Sequence, residues 1–276
     1  MIPAHASPIL KWAGGKSWAA KEFGDDIFAI LQMRGFGTYI EPFLGGGAMA
    51  LWLGWSDMIL ADIEEDLIEV YQALQEDYKQ VHSALGEFSE LDEAGYYEVR
   101  DNAPDDWDSF YCAARVIYLN KRCYNGLYRK NASGRFNVSY GKWKGPLPKL
   151  PELKQLHEVS NALKGARISV NDFEKVIRAA GDGDVVYADP PYAKTFDKYS
   201  PGEFGLDDHK RLAIALKAAA HRGASVFAHN SHTQEILDLY QWAEIVPVYE
   251  RRSISSKGDD RKPAPCVFIA LCPTLG

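Results

Sequence analysis

The sequence predicts an α/β fold in which a mixed sheet, drawn from roughly residues 1–64 and 157–276, is interrupted by an inserted lobe over roughly 65–156. Three observations carry that reading. Apolar strand-like runs alternate with helical periodicity near both ends of the chain. Between them the composition shifts towards Tyr, Trp and Asn-Gly or Ser-Gly turns. The last two strand-like runs are separated by a polar loop, which suits an antiparallel pair at the sheet edge.

Taken in order, Thr38-Tyr39-Ile40 is short and β-prone, Phe43 to Gly47 is a turn, and Ala48 to Trp52 begins a helix of good formers. Met58 to Ala61 is an apolar strand ending at Asp62. Residues 63–82 are helical, with Leu67, Val70, Tyr71 and Leu74 at three-to-four spacing. In the lobe, Arg135 to Gly141 alternates like one arm of a hairpin, and Pro146 to Pro151 is a stiff exit linker. Beyond it come a buried-type strand at Asp184 to Ala188, a helix from Asp207 to Ala220 and a strand at Ala224 to Ala228. A short helix from about Gln234 precedes the closing strands, Ile245 to Arg251 and Cys266 to Leu271.

Composition removes several function classes. At 276 residues and 46% hydrophobic, the chain can bury a full core. No apolar run approaches the ~20 residues that span a bilayer. Met1-Ile2-Pro3-Ala4-His5 lacks the basic start and apolar stretch of a signal peptide, so a cytoplasmic protein with no membrane role is expected. Cys112, Cys123, Cys266 and Cys272 form no C-x-x-C, and reduced, mostly buried thiols are expected. His229 and His232 make an H-x-x-H with no acidic or Cys partner in register, so no metal is expected.

The net charge of -7 speaks against nucleic acid, but its distribution does not. No acidic residue lies between Asp108 and Glu152, while Arg115, Lys121, Arg122, Arg129, Lys130, Arg135, Lys142, Lys144 and Lys149 do. With those nine cations set apart, the remainder of the chain carries -16. Such segregation is the footprint of a local phosphate-binding face.

The strongest motif is Asp189-Pro190-Pro191-Tyr192, directly after a predicted strand. Ligands of open α/β sheets bind at strand ends, and two prolines make that corner rigid. An exocyclic amine is a poor nucleophile because its lone pair is delocalised into the ring. A carboxylate and a fixed carbonyl that each accept one of its N–H bonds free that pair for attack on a methyl sulfonium. Asp189 and the Pro190 carbonyl are the candidate acceptors, and Tyr192 the platform on which a flipped base stacks. The second motif, Glu41-Pro42-Phe43-Leu44-Gly45-Gly46-Gly47-Ala48, is a glycine-rich turn of the kind that approaches adenosine-containing cofactors, with Asp62 placed to accept ribose hydroxyls. The third, Lys11-Trp12-Ala13-Gly14-Gly15-Lys16-Ser17, looks like the end of a phosphate-binding loop. Leu10 stands where the first glycine of such a loop belongs, so Trp12 and Lys16 are read instead as holding a base and a carboxylate.

In this order the three motifs resemble the Dam-like family of DNA adenine-N6 methyltransferases, over nearly the whole chain. The resemblance implies a mixed seven-stranded Rossmann-like methyltransferase sheet that binds S-adenosylmethionine, with a helical and β-hairpin DNA-recognition lobe inserted. It implies that Trp12, Lys16, Glu41, Phe43, Gly45, Gly47, Asp62 and Asp189 hold the cofactor and that Asp172-Phe173 meets its adenine. Asp189, Pro190, Pro191 and Tyr192 would be the catalytic corner. The segments 119–129 and 134–138 look like the family's DNA-reading hairpin: Tyr124 wedges into the duplex, Asn125 holds the backbone beside the flipped base, Leu127 touches a thymine methyl and Arg129 reads a guanine. Arg122, Asn131, Arg135, Lys142 and Lys144 complete the DNA-binding set, and Arg252 to Ser255 with Arg261-Lys262 also match. A GATC-like target in double-stranded DNA, a bacterial or phage origin and a protein monomeric when free are the corresponding expectations. Cys266 in place of a usual Glu, His229-Asn230 in place of Ser-Asn, and Ser139 in place of a frequent Pro depart from the pattern and bear on fine specificity.

Rival readings are methylation of RNA adenine or of a protein amide, a DNA-binding relative that has lost catalysis, and a dinucleotide-dependent oxidoreductase. The first would usually carry Asn at position 189, the second has an intact Asp189-Pro190-Pro191-Tyr192 against it, and the third lacks a hydride-transfer site.

Overall fold

The computed structural model describes residues 2–35, 37–102, 107–143, 145–192, 204–251 and 263–272. Its helices are α1 (Ser17–Met33), α2 (Ala48–Leu53), α3 (Glu65–Glu87), α4 (Glu93–Asp101), α5 (Ser109–Arg122), α6 (Leu153–Ala162), α7 (Phe173–Ile177), α8 (Leu206–His221) and α9 (Gln234–Leu239). The strands are β1 (Tyr39–Glu41), β2 (Met58–Asp62), β3 (Arg167–Val170), β4 (Val185–Ala188), β5 (Ser225–Ser231), β6 (Glu244–Arg251) and β7 (Pro263–Leu271). Contacts divide the chain into two units, one of residues 25–44, 56–63 and 165–276, the other of residues 1–24, 45–55 and 64–164.

The first unit contains the sheet. Its seven strands run in the order β3-β2-β1-β4-β5-β7-β6. The pairs from β3 to β5 are parallel, whereas β7 is antiparallel to both β5 and β6. The mixed seven-stranded α/β sheet, with its antiparallel pair at one edge, is therefore the architecture present. β1 and β4 are buried at every position, as central parallel strands covered on both faces must be. Ile40, Val186, Leu212, Leu216, Val226 and Ile269 are among the residues of the core that covers them.

One half-buried carboxylate fixes the start of the central strands. Asp184 accepts from the Thr38 N–H at 2.8 Å and the Gly181 N–H at 2.9 Å. The Val185 N–H donates to the Thr38 carbonyl at 3.0 Å. Gly37 is needed here for space, since a Cβ would sit 2.1 Å from the Gly183 carbonyl oxygen.

The second unit is largely helical. α3, α5 and α6 pack together, burying Leu67, Val70, Tyr71, Ala113, Ile117, Tyr118, Leu156 and Val159. Within α3, Asp77 leaves helical geometry (φ -151°, ψ 90°), and its carboxylate accepts from the Lys79 N–H, recapping the helix after the kink. The predicted hairpin is less regular than a ladder. Isolated antiparallel bridges join Cys123 to Tyr140 and Lys130 to Phe136, while Asn131 ties the turn by accepting from the Ser133 and Arg135 N–H groups. Cys123 and Cys266 are buried, Cys112 is half-buried and Cys272 is exposed; none is in a disulfide. Among the described residues no helix is long and apolar enough to cross a membrane.

Gly37→Ala should push β1 from β4 and lower folding stability by about 1–3 kcal/mol, the usual cost of overpacking. Urea denaturation reads this directly, and an unchanged midpoint would show that the Gly183 backbone yields without cost.

Candidate active site

The strand order reverses between β1 and β4. From β1 the chain works outward to β2 and β3; from β4 it works the other way to β5. At such a switch point the connections leave in opposite directions and open a crevice at the carboxyl ends of the strands. Glu41 is the last residue of β1, Asp62 the last of β2, and Asp189 follows the last residue of β4. Three carboxylates, two from the glycine-turn motif and one from Asp189-Pro190-Pro191-Tyr192, thus stand at the ends of three neighbouring parallel strands.

Their settings differ. Glu41 is 3% exposed and accepts from the Tyr39 hydroxyl at 2.9 Å. Burial first, then the charge of Glu41, raises the Tyr39 phenol well above its usual range, so it remains a donor. Asp62 is half-buried, with its carbonyl accepting from the Asn171 N–H at 3.1 Å. Asp189 and Tyr192 are half-buried, Pro190 is buried and Pro191 is exposed.

An aromatic wall accompanies them. Phe43, just after β1, stacks on Phe173 at 5.3 Å and 25°, and Phe204 packs edge-on against Phe43 at 5.6 Å. The Leu44 N–H donates to the Ala61 carbonyl at 2.8 Å, fastening the turn after β1 to the end of β2. Asp172 caps α7 by accepting from the Glu174 N–H at 2.9 Å and also pairs with Arg211 at 3.1 Å. Its carboxylate thus has structural work that the motif did not reveal.

Sequence reasoning passed over His209. It is fully buried in the first turn of α8, where Asn230 approaches its Nδ1 at 3.3 Å and Phe204 packs edge-on at 4.8 Å. Its Nε2 has no hydrogen-bond partner among the described residues. Burial pushes its pKa down to about 4. The signal in sequence, a His in an otherwise amphipathic helix, is too common to have found it.

In the second unit, Trp12 packs at a tilt against Tyr128 at 4.7 Å, and Lys16 is 4% exposed with its ammonium donating to the Gly14 carbonyl at 2.7 Å. Gly45 and Gly47 have φ of +47° and +67°, left-handed backbone that accounts for glycine at both positions of the turn. A Cβ at Gly45 would also come within 3.1 Å of the Trp12 ring.

The proposed DNA-binding residues separate into two groups. Tyr124 is 41% exposed at the start of a single 3-10 turn, Tyr124–Gly126, and Asn125 beside it is exposed with a left-handed φ of 57°. Arg129, Asn131, Arg135 and Lys142 are exposed, and Leu127 is half-buried. Arg122 departs from expectation. It is 5% exposed, and its guanidinium donates to the Pro148 carbonyl and, at 3.3 Å, to the Ser89 carbonyl. It anchors the exit linker inside the unit and is not presented to a phosphate. Lys144, Arg252, Ser253, Ile254, Ser255, Arg261 and Lys262 lie outside the described residues.

Two more of the nine cations are also engaged internally. Arg115 donates to the Val99 and Arg100 carbonyls at 2.8 and 2.7 Å, at the end of α4, and Lys130 pairs with Glu64 and Asp66. Lys121 is half-buried, and burial followed by the charge of Lys11 lowers its pKa.

A family model of D12 class N6 adenine-specific DNA methyltransferases matches residues 12–254. The chain belongs to that class. This methyltransferase is 37% identical over 279 residues to the type II methyltransferase M.MjaIII of Methanocaldococcus jannaschii, a match covering 94% of this chain and 96% of the relative. It is 34% identical over 262 residues to the DNA adenine methylase of Escherichia coli (strain K12), covering 92% and 91%. A DNA N-6-adenine-methyltransferase of Escherichia phage P1 is 37% identical over 265 residues, covering 92% of this chain and 34% of the longer phage protein.

The His209 shift has a measurable consequence. An unfolded chain protonates this residue near 6.5, the folded one only near 4. The unfolded state therefore binds more protons between those values, and stability falls as pH drops through that window. His209→Gln should flatten the fall in urea midpoint from pH 6.5 to 4.5; an unaltered slope would assign it to other groups.

Proposed function

We propose that this methyltransferase transfers a methyl group from S-adenosylmethionine to N6 of an adenine flipped out of double-stranded DNA, within a GATC-like site. The observation that carries the reading is the placement of Glu41, Asp62 and Asp189 at the carboxyl ends of three neighbouring strands around the switch point.

The chemistry of these groups fits the cofactor. Asp62 offers carboxylate oxygens to ribose hydroxyls, the Phe43–Phe173 stack offers an apolar wall to an adenine ring, and Trp12, Lys16, Glu41, Gly45 and Gly47 complete the set by resemblance. When bound, S-adenosylmethionine supplies a methyl group made electrophilic by a positively charged sulfur. The Asp189 carboxylate and the Pro190 carbonyl each accept one N–H of the adenine amine, which localises its lone pair on nitrogen. Pro190 and Pro191 hold those acceptors still, so no reorganisation accompanies the reaction. Tyr192 stacks on the flipped base and compensates part of the few kcal/mol, roughly, that unstacking costs.

The lobe supplies the DNA contacts. Tyr124 enters the stack, Asn125 holds the backbone beside the displaced base, Leu127 meets a thymine methyl, and Arg129 reads a guanine, a contact that discriminates by about 1–3 kcal/mol. Asn131, Arg135, Lys142 and Lys144 touch backbone and so position without specifying. The protein acts in the cytoplasm as a monomer, without a metal. The sheet with the N-terminal motifs (1–64 and 157–276) performs the chemistry, and 65–156 performs recognition.

The test is to incubate the protein with labelled S-adenosylmethionine and either duplex DNA or duplex RNA, then identify the modified nucleoside. N6-methyladenine should appear in DNA, and Asp189→Ala should lower its rate by at least about 100-fold while DNA binding persists. Label confined to RNA, or DNA binding with no transfer by the wild type, would overturn the proposal.

A further inference from the structure

Tyr128 and Lys130 bracket Arg129 in sequence. The Tyr128 hydroxyl donates to Asp66 and, at 3.2 Å, to Glu64. The Lys130 ammonium pairs with Glu64 and, at 3.1 Å, with Asp66. The two acids flank the start of α3, two and four residues after Asp62. The Tyr128 ring packs against Trp12, at 4.7 Å, and Phe136, at 5.6 Å. Burial, then the two carboxylates, raises the Tyr128 phenol far above its usual range, so it stays a donor. Burial alone would lower the Lys130 pKa; the carboxylates outweigh it and raise it.

Arg129 behaves oppositely. It is exposed, and its Nε donates to the Asn137 carboxamide at 2.8 Å. Neighbouring side chains of an extended segment point to opposite sides. Here one side is engaged with α3 and the other is open.

A two-stranded hairpin is marginal by itself, and this one has two isolated bridges in place of a ladder. Asn137 holds Arg129 within the hairpin, through its carboxamide and through its N–H on the Arg129 carbonyl at 3.0 Å, and the contacts of Tyr128 and Lys130 tie that hairpin to α3. The four-group cluster does so at half-exposed sites, each side chain between 25% and 29% exposed for Lys130, Glu64 and Asp66. Lys130 also offsets one of the two negative charges that Glu64 and Asp66 place beside the arm. We infer that Tyr128 and Lys130 are positioning residues for sequence recognition: by clamping the reading arm to the first turn of α3 they set the place from which Arg129 meets a base. The inference rests on Arg129 reading a base as proposed above.

The experiment methylates a pool of duplexes randomised around a single adenine and sequences the methylated products. It compares wild type with Arg129→Ala, Lys130→Met, Lys130→Arg and Tyr128→Phe, and measures KM and kcat on the duplex that the wild type prefers. Arg129→Ala should reduce the preference at one base position by tenfold or more. Lys130→Met should reduce it at the same position by about fivefold or more and raise the KM for DNA, with kcat kept within threefold. Tyr128→Phe, which removes a single hydroxyl, should do so more weakly, and Lys130→Arg should restore it. If Arg129→Ala loses the preference while Lys130→Met and Tyr128→Phe keep it, the clamp is structural only and the inference falls while the reading of Arg129 stands. If Arg129→Ala keeps the preference, that reading falls and takes the inference with it.

Discussion

Parallel strands whose connections leave in opposite directions cannot close the space between their carboxyl ends, and in this chain that space falls between β1 and β4. The site proposed here depends on that constraint. Glu41 and Asp189 flank the switch point because one ends β1 and the other follows β4, with Asp62 one strand further out. The Asp184 carboxylate holds the amino ends of β1 and β4 together through the Thr38 N–H, and its bond from the Gly181 N–H braces the turn before β4. Residues nearly 150 apart in sequence become neighbours through backbone pairing, before any side chain chooses a partner.

Charge is organised with similar economy. The acid-free stretch looks like a uniform basic face, yet Arg115, Arg122 and Lys130 are engaged by carbonyls and carboxylates of their own unit. What remains outward is a smaller set, with Arg129, Arg135 and Lys142 exposed. A few cations in fixed places favour discrimination over general affinity, because phosphate contacts by themselves carry no sequence information. The structural cations hold the arm and the linker from which the exposed ones project.

Much of the architecture was legible because periodicity and turn chemistry agreed locally. β4 and the first part of β5, to Ala228, are apolar runs, and the glycine turn announces its left-handed residues at Gly45 and Gly47. The elements passed over have identifiable reasons. α5 is buried from Ala113 through Asn120 at nearly every position, which erases the amphipathic stripe. α1 contains Gly24, a poor helix residue kept because a Cβ would strike the Trp52 ring at 2.3 Å. β3 is a short edge strand with a single buried residue, Ile168. Within the site, the motifs located carboxylates and glycines, whereas the second duty of Asp172, the burial of Arg122 and the partnership of Lys130 depend on groups distant in sequence.

The most direct test of the account is equilibrium binding of S-adenosylhomocysteine, measured by calorimetry without DNA, to the wild type and to Asp62→Asn. If the carboxyl ends of the parallel strands hold the cofactor, losing the charged acceptor should weaken binding roughly tenfold or more, the worth of a hydrogen bond to a charged group. Equal affinity in a variant that folds as the wild type does would place the cofactor elsewhere and contradict the account.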